Sequence, residues 1–382
     1  MFFMASVRIV SIKGSLVNFI VGLCCIQHSL SFHPSPSRMS ERIFSTDRHT
    51  STSLSALAWR PLQDLIDTID PSSICTANKE HSRLAKDTEY ATAVLKAWRE
   101  DASAYHASEK NVGSDFVYHE SKDGVELNGY LVAPPSLVEG GNPGQMKKEQ
   151  VPAIILFHTG AGPQDIFLRW KADILVRELN CIVLIADIIA DADGYAWSDR
   201  EKYDAARKSV LAVSEEGGQI ARWKLRRTIA AAINHLKHLD FIKIDNIAAM
   251  GYCMGGHPIL ELGLMQENSV KTLISYHGVF DGVKEYANES NDSGGTSSAT
   301  NRTQVLICNG KMDPFVQEND IEKAKNLLEI KGCDVTILNF DGVKHGFTNP
   351  AQDYNPSDAF AFNDHAAKTS WDSTIQLLRQ TL

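Results

Sequence analysis

Cys253 lies in the segment Gly251-Tyr252-Cys253-Met254-Gly255-Gly256, between the apolar run NIAAM and a stretch with helical spacing. A nucleophilic side chain between two glycines, strand before and helix after, forms a G-x-nucleophile-x-G turn, here with sulfur in place of a hydroxyl. Small residues at 251, 255 and 256 permit the strained turn that lifts the side chain above a sheet. The turn also puts Cys253 at a helix N-terminus, where the dipole and free N–H groups favour the thiolate, the reactive form. With such a turn an acid and then an imidazole follow in chain order, each on a loop just after a strand. Asp313 follows the run QVLICNG in GKMDPFV, and His345 follows DVTILNF in DGVKHGF. In series, His345 would take the thiol proton and Asp313 would hold the ring's tautomer. Asp187 also ends a strand, and His158, His277 and His365 are further imidazoles; Asp187 and His277, on strands flanking the site, read as wall or support residues.

The elements that must position these groups alternate along the chain. AIILFH, CIVLIADII, NIAAMGY, VKTLISYHG, QVLICNG and DVTILNF are short, apolar and rich in β-branched residues, as strands buried on both faces should be. Helical stretches are expected between most of them, at 165–179, 199–213, 218–239, 254–266 and 315–331. That alternation predicts a doubly wound, mostly parallel α/β sheet with helices on both faces, in one domain over 111–382. Ahead of it, 54–110 reads as a helical N-terminal extension, with Leu84, Tyr90, Ala93, Val94 and Trp98 at helical spacing. DFVYHES and LNGYLVAP flank a tight Lys122-Asp123-Gly124 turn, a hairpin signal. The Gly- and Lys-rich 135–150 reads as an exposed loop, and about 283–303, containing ANESNDSGGTSSATNR, as a disordered surface insertion.

The chain has 382 residues, 43% of them apolar and 22% charged, the composition of a soluble globular protein. A net charge of −9 excludes a nucleic-acid surface built on clustered Lys and Arg. Seven scattered cysteines, with no C-x-x-C pair and no Cys/His zinc spacing, argue against a disulfide framework and a metal site. Cys181, Cys308 and Cys333 lie in or beside strand-like runs and read as small buried hydrophobes. Residues 1–53 read as a targeting leader that is removed. Arg8 and Lys13 precede SLVNFIVGLCCIQ, too short for a stable membrane span. A segment rich in Ser, Thr and Arg follows it, as in a transit peptide. With Phe32 just after the apolar run, the arrangement resembles a bipartite plastid leader. The expected address is organellar, with secretion as the alternative. On a secretory route Asn288, Asn291 and Asn301, each in an N-x-Ser/Thr sequon, are glycan acceptors.

From about residue 115 onward the chain resembles the dienelactone hydrolase family. GYCMGG, SYHG, NGKMDPFV, KHGFTNP and HAAKTSW match that family's motifs in order and at similar spacing. The resemblance implies the α/β-hydrolase fold, a Cys253-Asp313-His345 triad and cofactor-independent cleavage of a small-molecule ester or lactone through a thioester. The alternatives are acyl transfer from the same cysteine and a ligand-binding protein that has abandoned turnover. Oxyanion donors would be the backbone N–H of Met254 and that of Gly160, the family-equivalent position in His158-Thr159-Gly160-Ala161-Gly162. His158 and Thr159 would border the pocket. The family's arginines hold a substrate carboxylate, and Arg200 and Arg207 lie in a comparable region. At the position of Thr159 the family carries a glutamate that keeps the resting thiol protonated. Threonine carries no charge, so the expectation here is a standing thiolate–imidazolium pair.

Overall fold

The computed structural model describes residues 57–69, 87–103, 110–138, 150–190, 194–195, 200–239, 241–282 and 302–382. The leader and almost all of the 283–303 insertion, with its three sequons, lie outside the described residues. In chain order the elements are β1 (Arg60–Pro61), α1 (Leu62–Thr68), α2 (Thr88–Ser103), β2 (Val112–His119), β3 (Glu126–Ala133) and α3 (Pro135–Val138). Then come β4 (Val151–Phe157), α4 (Ile166–Leu179), β5 (Ile182–Ala186), α5 (Arg200–Val210), β6 (Ser214–Glu216), β7 (Gln219–Ala221) and α6 (Trp223–Lys237). The C-terminal part of the chain holds β8 (Ile242–Tyr252), α7 (Gly256–Met265), β9 (Val270–Tyr276), β10 (Gln304–Gly310), α8 (Glu318–Ile330), β11 (Asp334–Phe340) and α9 (Asp364–Thr381).

Nine strands form one sheet in the order β1-β2-β3-β5-β4-β8-β9-β10-β11. The expected hairpin pairs β2 with β3 antiparallel, and β3 pairs antiparallel with β5. From β5 to β11 every pairing is parallel. The apolar runs are buried on both faces, as their sequence demands. In β4, Ala153, Ile155 and Phe157 face one core, while Ile154 and Leu156 face the other. Helices α6, α7 and α8 cover the first face through Ile229, Ile233, Ile259 and Leu328. Helices α1, α2, α4 and α9 cover the second.

Two sequence expectations change. The described parts of the 54–110 segment, 57–69 and 87–103, carry α1 and α2, and both helices pack into the core rather than standing apart from it. Leu62, Ile66, Val94, Leu95 and Trp98 are all buried against the sheet. Trp98 Nε1 donates to Asp173 Oδ2 at 2.8 Å, fastening α2 to α4, and truncating a buried tryptophan costs roughly 3–5 kcal/mol. The second change is at 214–221, where a small antiparallel hairpin, β6–β7, interrupts the expected helical stretches. Gly217 and Gly218, both at positive φ, make its turn.

Candidate active site

The chain leaves β8 and turns into α7 through a short 3-10 segment, Cys253–Gly255. Cys253 has φ 54°, a left-handed conformation that a side chain adopts only when its surroundings enforce it, at roughly 1–3 kcal/mol of strain. Here the glycines enforce it. A Cβ on Gly251 would sit 2.0 Å from the Gly255 carbonyl oxygen, and one on Gly255 would sit 2.5 Å from the Phe157 carbonyl oxygen. Backbone can approach that closely only without side chains. The Val279 N–H donates to the Cys253 carbonyl at 3.0 Å and ties the elbow to the loop after β9.

His345 follows β11 and is buried. Its Nδ1 donates to Asp313 Oδ2 at 2.6 Å, and Asp313 Oδ1 accepts from the Phe315 N–H at 2.9 Å. On its other side His345 faces the Cys253 sulfur closely enough for their charges to act on each other. Phe315, Phe360 and His277 ring the imidazole, with centroids 5.1, 5.2 and 4.8 Å away. Burial pushes the Cys253 thiol up, but the charge and hydrogen bond of His345 and the Met254 N–H outweigh it, and the thiol is held below its ordinary value. Burial likewise pushes His345 down, yet the Cys253 charge and the Asp313 hydrogen bond raise it above its ordinary value. Both shifts favour one state, thiolate beside imidazolium.

Cys253 and His345 open into a cavity of about 570 Å³. Gly160 and Thr159 line it on one side and Tyr203, Arg200 and Arg207 on another. A Cβ on Gly160 would meet the Tyr203 ring at 2.8 Å, so the loop and α5 close on each other there. Thr159 stands at the cavity wall. His158 does not. It is fully buried outside the lining, with Nδ1 donating to the Thr159 carbonyl at 2.6 Å and Nε2 accepting from the Ile188 N–H at 3.1 Å. Both ring nitrogens are used by backbone, so His158 shapes the loop and is not offered to a ligand. Asp187 likewise serves backbone, accepting from Ile189 and Ala190 N–H groups. His277 touches His345 and bonds Thr348 Oγ1 at 3.1 Å, a support role. Of the two arginines, Arg200 is largely exposed and paired with Asp204 one helical turn on. Arg207 is more buried and held by Asp281.

The sequence reading did not single out Tyr90 as a pocket residue, nor Asp165, Asn349, Tyr203 or Phe360, all of which line the cavity. Asp165 left a trace as an N-cap, since its side chain accepts from the Phe167 N–H at the start of α4. Tyr90 appeared only as an apolar position on a helix. Among the described residues no group of three or more His, Cys, Asp or Glu side chains could hold a metal ion. No helix among them is long and apolar enough to cross a membrane.

A strand–elbow–helix carrying the cysteine, with an acid and a histidine on loops after the last two strands of a mostly parallel sheet, defines an α/β-hydrolase-fold protein. Within that fold the chain belongs to the dienelactone hydrolase family, whose profile matches residues 141–382. Membership makes it a hydrolase of esters or lactones. A dienelactone hydrolase-like promiscuous phosphotriesterase from metagenomic libraries is similar in fold, with TM-score 0.54 and 19% identity over 70% of this chain and 98% of that one. The structure of m3DLH is similar as well, with TM-score 0.56 and 21% identity over 71% and 99% of the two chains. In sequence, an uncharacterized protein of Caenorhabditis elegans is 21% identical over 157 residues, which are 41% of this chain and 94% of that protein.

Proposed function

We propose that the protein cleaves a small-molecule carboxylic ester or lactone through a thioester on Cys253. The Cys253 thiolate adds to the carbonyl carbon, and the resulting oxyanion is held by the N–H groups of Met254 and Gly160. His345, as imidazolium, gives its proton to the departing alkoxide. The neutral ring then takes a proton from water, which adds to the thioester and releases the acid and the thiolate. Asp313 holds the His345 tautomer and balances its charge throughout. The observation that carries this reading is the convergence of three groups: Cys253 and His345 both line the cavity, and His345 is hydrogen-bonded from behind by Asp313. Arg207, anchored by Asp281 at the rim, is the better placed of the two arginines to meet an anionic part of a substrate. No cofactor takes part in this scheme, and its partner is the small ester alone. The leader is proposed to deliver the enzyme to an organelle, and N-terminal sequencing of native protein checks its removal.

The test is a panel of small esters and lactones run with wild type and Cys253→Ala, with mass spectrometry of the quenched enzyme. A mass increase equal to the acyl group in wild type, and its loss with activity in the variant, is the expected result. Hydrolysis by Cys253→Ala near the wild-type rate would refute the nucleophile.

A further inference from the structure

Both arginines that line the cavity have an aspartate beside them. For Arg200 it is Asp204, with Nε and Oδ2 3.0 Å apart. For Arg207 it is Asp281, whose Oδ1 accepts from Arg207 Nη2, and Asp281 lines the cavity too. Asp281 is not a loose surface carboxylate. It lies two residues beyond Val279, whose N–H is tied to the Cys253 carbonyl at 3.0 Å. Arg222 Nη2 donates to its backbone carbonyl. Arg222 Nη1 donates to His257 Nδ1 at 2.8 Å, which leaves the ring hydrogen of His257 on Nε2, facing Asp281 Oδ1 at 3.4 Å. Burial lowers His257 to about 4, so at neutral pH the ring presents a hydrogen and no charge. Beside His257 and Arg207 the Asp281 carboxyl is held below its ordinary value and stays ionised.

The consequence is electrostatic. Arg207 is the group that an anionic part of a substrate would have to meet, and Asp281 already stands against it at the same rim. A carboxylate brought there gains the attraction of Arg207 and takes the repulsion of Asp281 at a similar distance. Little net attraction is then left to offset the water it gives up. The cavity offers no compensation elsewhere. Besides Cys253 and His345, its remaining charged lining residues among those described are Arg200, matched by Asp204, and two acids, Asp87 and Asp165. We infer that Asp281 is a specificity-determining residue, a built-in counter-ion to Arg207 that turns carboxylate-bearing esters away and leaves the site to uncharged ones. The inference deepens the proposed ester hydrolysis and rests on that reading in taking this cavity as the place where substrate is held.

The experiment uses probes in pairs that differ only as carboxamide against carboxylate, with the full chain. para-Acetoxybenzamide and para-acetoxybenzoate report turnover, and iodoacetamide and iodoacetate report alkylation of Cys253. Each enzymatic rate is divided by that of the same probe with hydroxide or a free thiol. Wild type should favour the carboxamide of each pair. Asp281→Asn should raise the carboxylate-to-carboxamide ratio, in kcat/KM and in alkylation, about tenfold, the order expected on removing one partly exposed like charge. Asp281→Glu, which keeps the charge, should stay close to the wild-type ratio. In Arg207→Gln the ratio should fall below wild type, because Asp281 then faces the cavity unopposed, and this variant decides the matter if Asp281→Asn does not fold. The double variant Asp281→Asn/Arg207→Gln should lose the gain of Asp281→Asn. A merely structural disturbance slows both members of a pair alike and leaves the ratio where it was. The inference is overturned if wild type handles the carboxylates as well as the carboxamides, if the deciding variant leaves the ratio unmoved, or if the gain survives without Arg207. Alkylation requires no hydrolysis, so failure of wild type to turn over either ester refutes the proposed function while the ratio is still read. Turnover surviving in Cys253→Ala likewise refutes the nucleophile and not the role of Asp281.

Discussion

His345 and His257 are both buried close to the Cys253 elbow, and each has an aspartate beside it, yet they are driven in opposite directions. His345 faces the Cys253 sulfur and Asp313, two acidic partners, and its basicity is raised despite burial. His257, at the start of α7, is lowered to about 4, chiefly by burial. Asp281 lies 3.4 Å from its Nε2, but Arg222 Nη1 donates to its Nδ1 at 2.8 Å and Arg207 stands 3.3 Å away. The Asp281 carboxylate is thus shared with Arg207 and is half exposed, whereas Asp313 is buried and gives its carboxylate to His345. Burial disfavours the charged ring at both places. The sign of the remaining neighbours decides which one becomes a proton carrier and which a neutral spacer.

The largest expected effect would break this contrast if it failed. Asp313→Asn should lower kcat by about 10⁴-fold, through loss of the orienting acceptor. His257→Gln, whose amide can still accept from Arg222, should leave kcat within roughly tenfold because no proton crosses there. Comparable losses in the two variants would mean that both histidines serve the chemistry. If Asp187→Asn proved more damaging than Asp313→Asn, the acid would be misassigned.

A second, smaller effect is on stability against pH. An unfolded histidine titrates near 6.5, and the folded His257 only near 4. Because the folded value is depressed, the unfolded chain takes up the proton first as pH falls. Stability present above about pH 6.5 is therefore lost progressively down to about pH 4, by roughly 3 kcal/mol. The Asp281 carboxyl, held low by the His257 and Arg207 hydrogen bonds, adds a loss of the same sign at still lower pH. Urea midpoints at pH 7 and pH 4.5 should differ less in His257→Gln than in wild type. An equal drop in both proteins would show that His257 is not responsible.

The smallest effect sharpens the His345 side. With an uncharged Thr159 at the cavity wall, Cys253 alkylation should remain fast at neutral pH and fall only as pH drops through the lowered thiol pKa. Thr159→Glu adds a negative charge near the sulfur and should slow alkylation at pH 7 several-fold. An apparent thiol pKa at or above the free value of about 8.5 in wild type, or no change in the variant, would remove the standing ion pair from the account.

Much of the fold was legible because it is written in local patterns. Six runs of β-branched residues became the six parallel strands β4, β5 and β8 to β11. The hairpin signal at Lys122-Asp123-Gly124 became β2–β3. The cysteine, acid and histidine were legible because a strained elbow needs glycines and its partners follow strands in a set order. The β6–β7 hairpin was missed because its residues, SEE and QIA, carry no apolar alternation. Tyr90 was read as a core position on a helix, which it is, but its hydroxyl meets Asp165 across 75 residues of chain, and periodicity carries no signal for that.

What sequence alone determined here is the identity and order of the candidate reacting groups, since a turn of glycines around Cys253 and loops after two strands are dictated within a few residues of each site. What only the tertiary structure decided is the charge state and surroundings of those groups. His158, His257, His277 and His345 are one residue type, all buried, and no local pattern separates them. They differ because folding places a thiolate and an unshared carboxylate beside His345, arginines beside His257, and backbone groups at both nitrogens of His158. Electrostatic interaction falls with distance in space, so which imidazole carries the proton is settled only when distant segments meet.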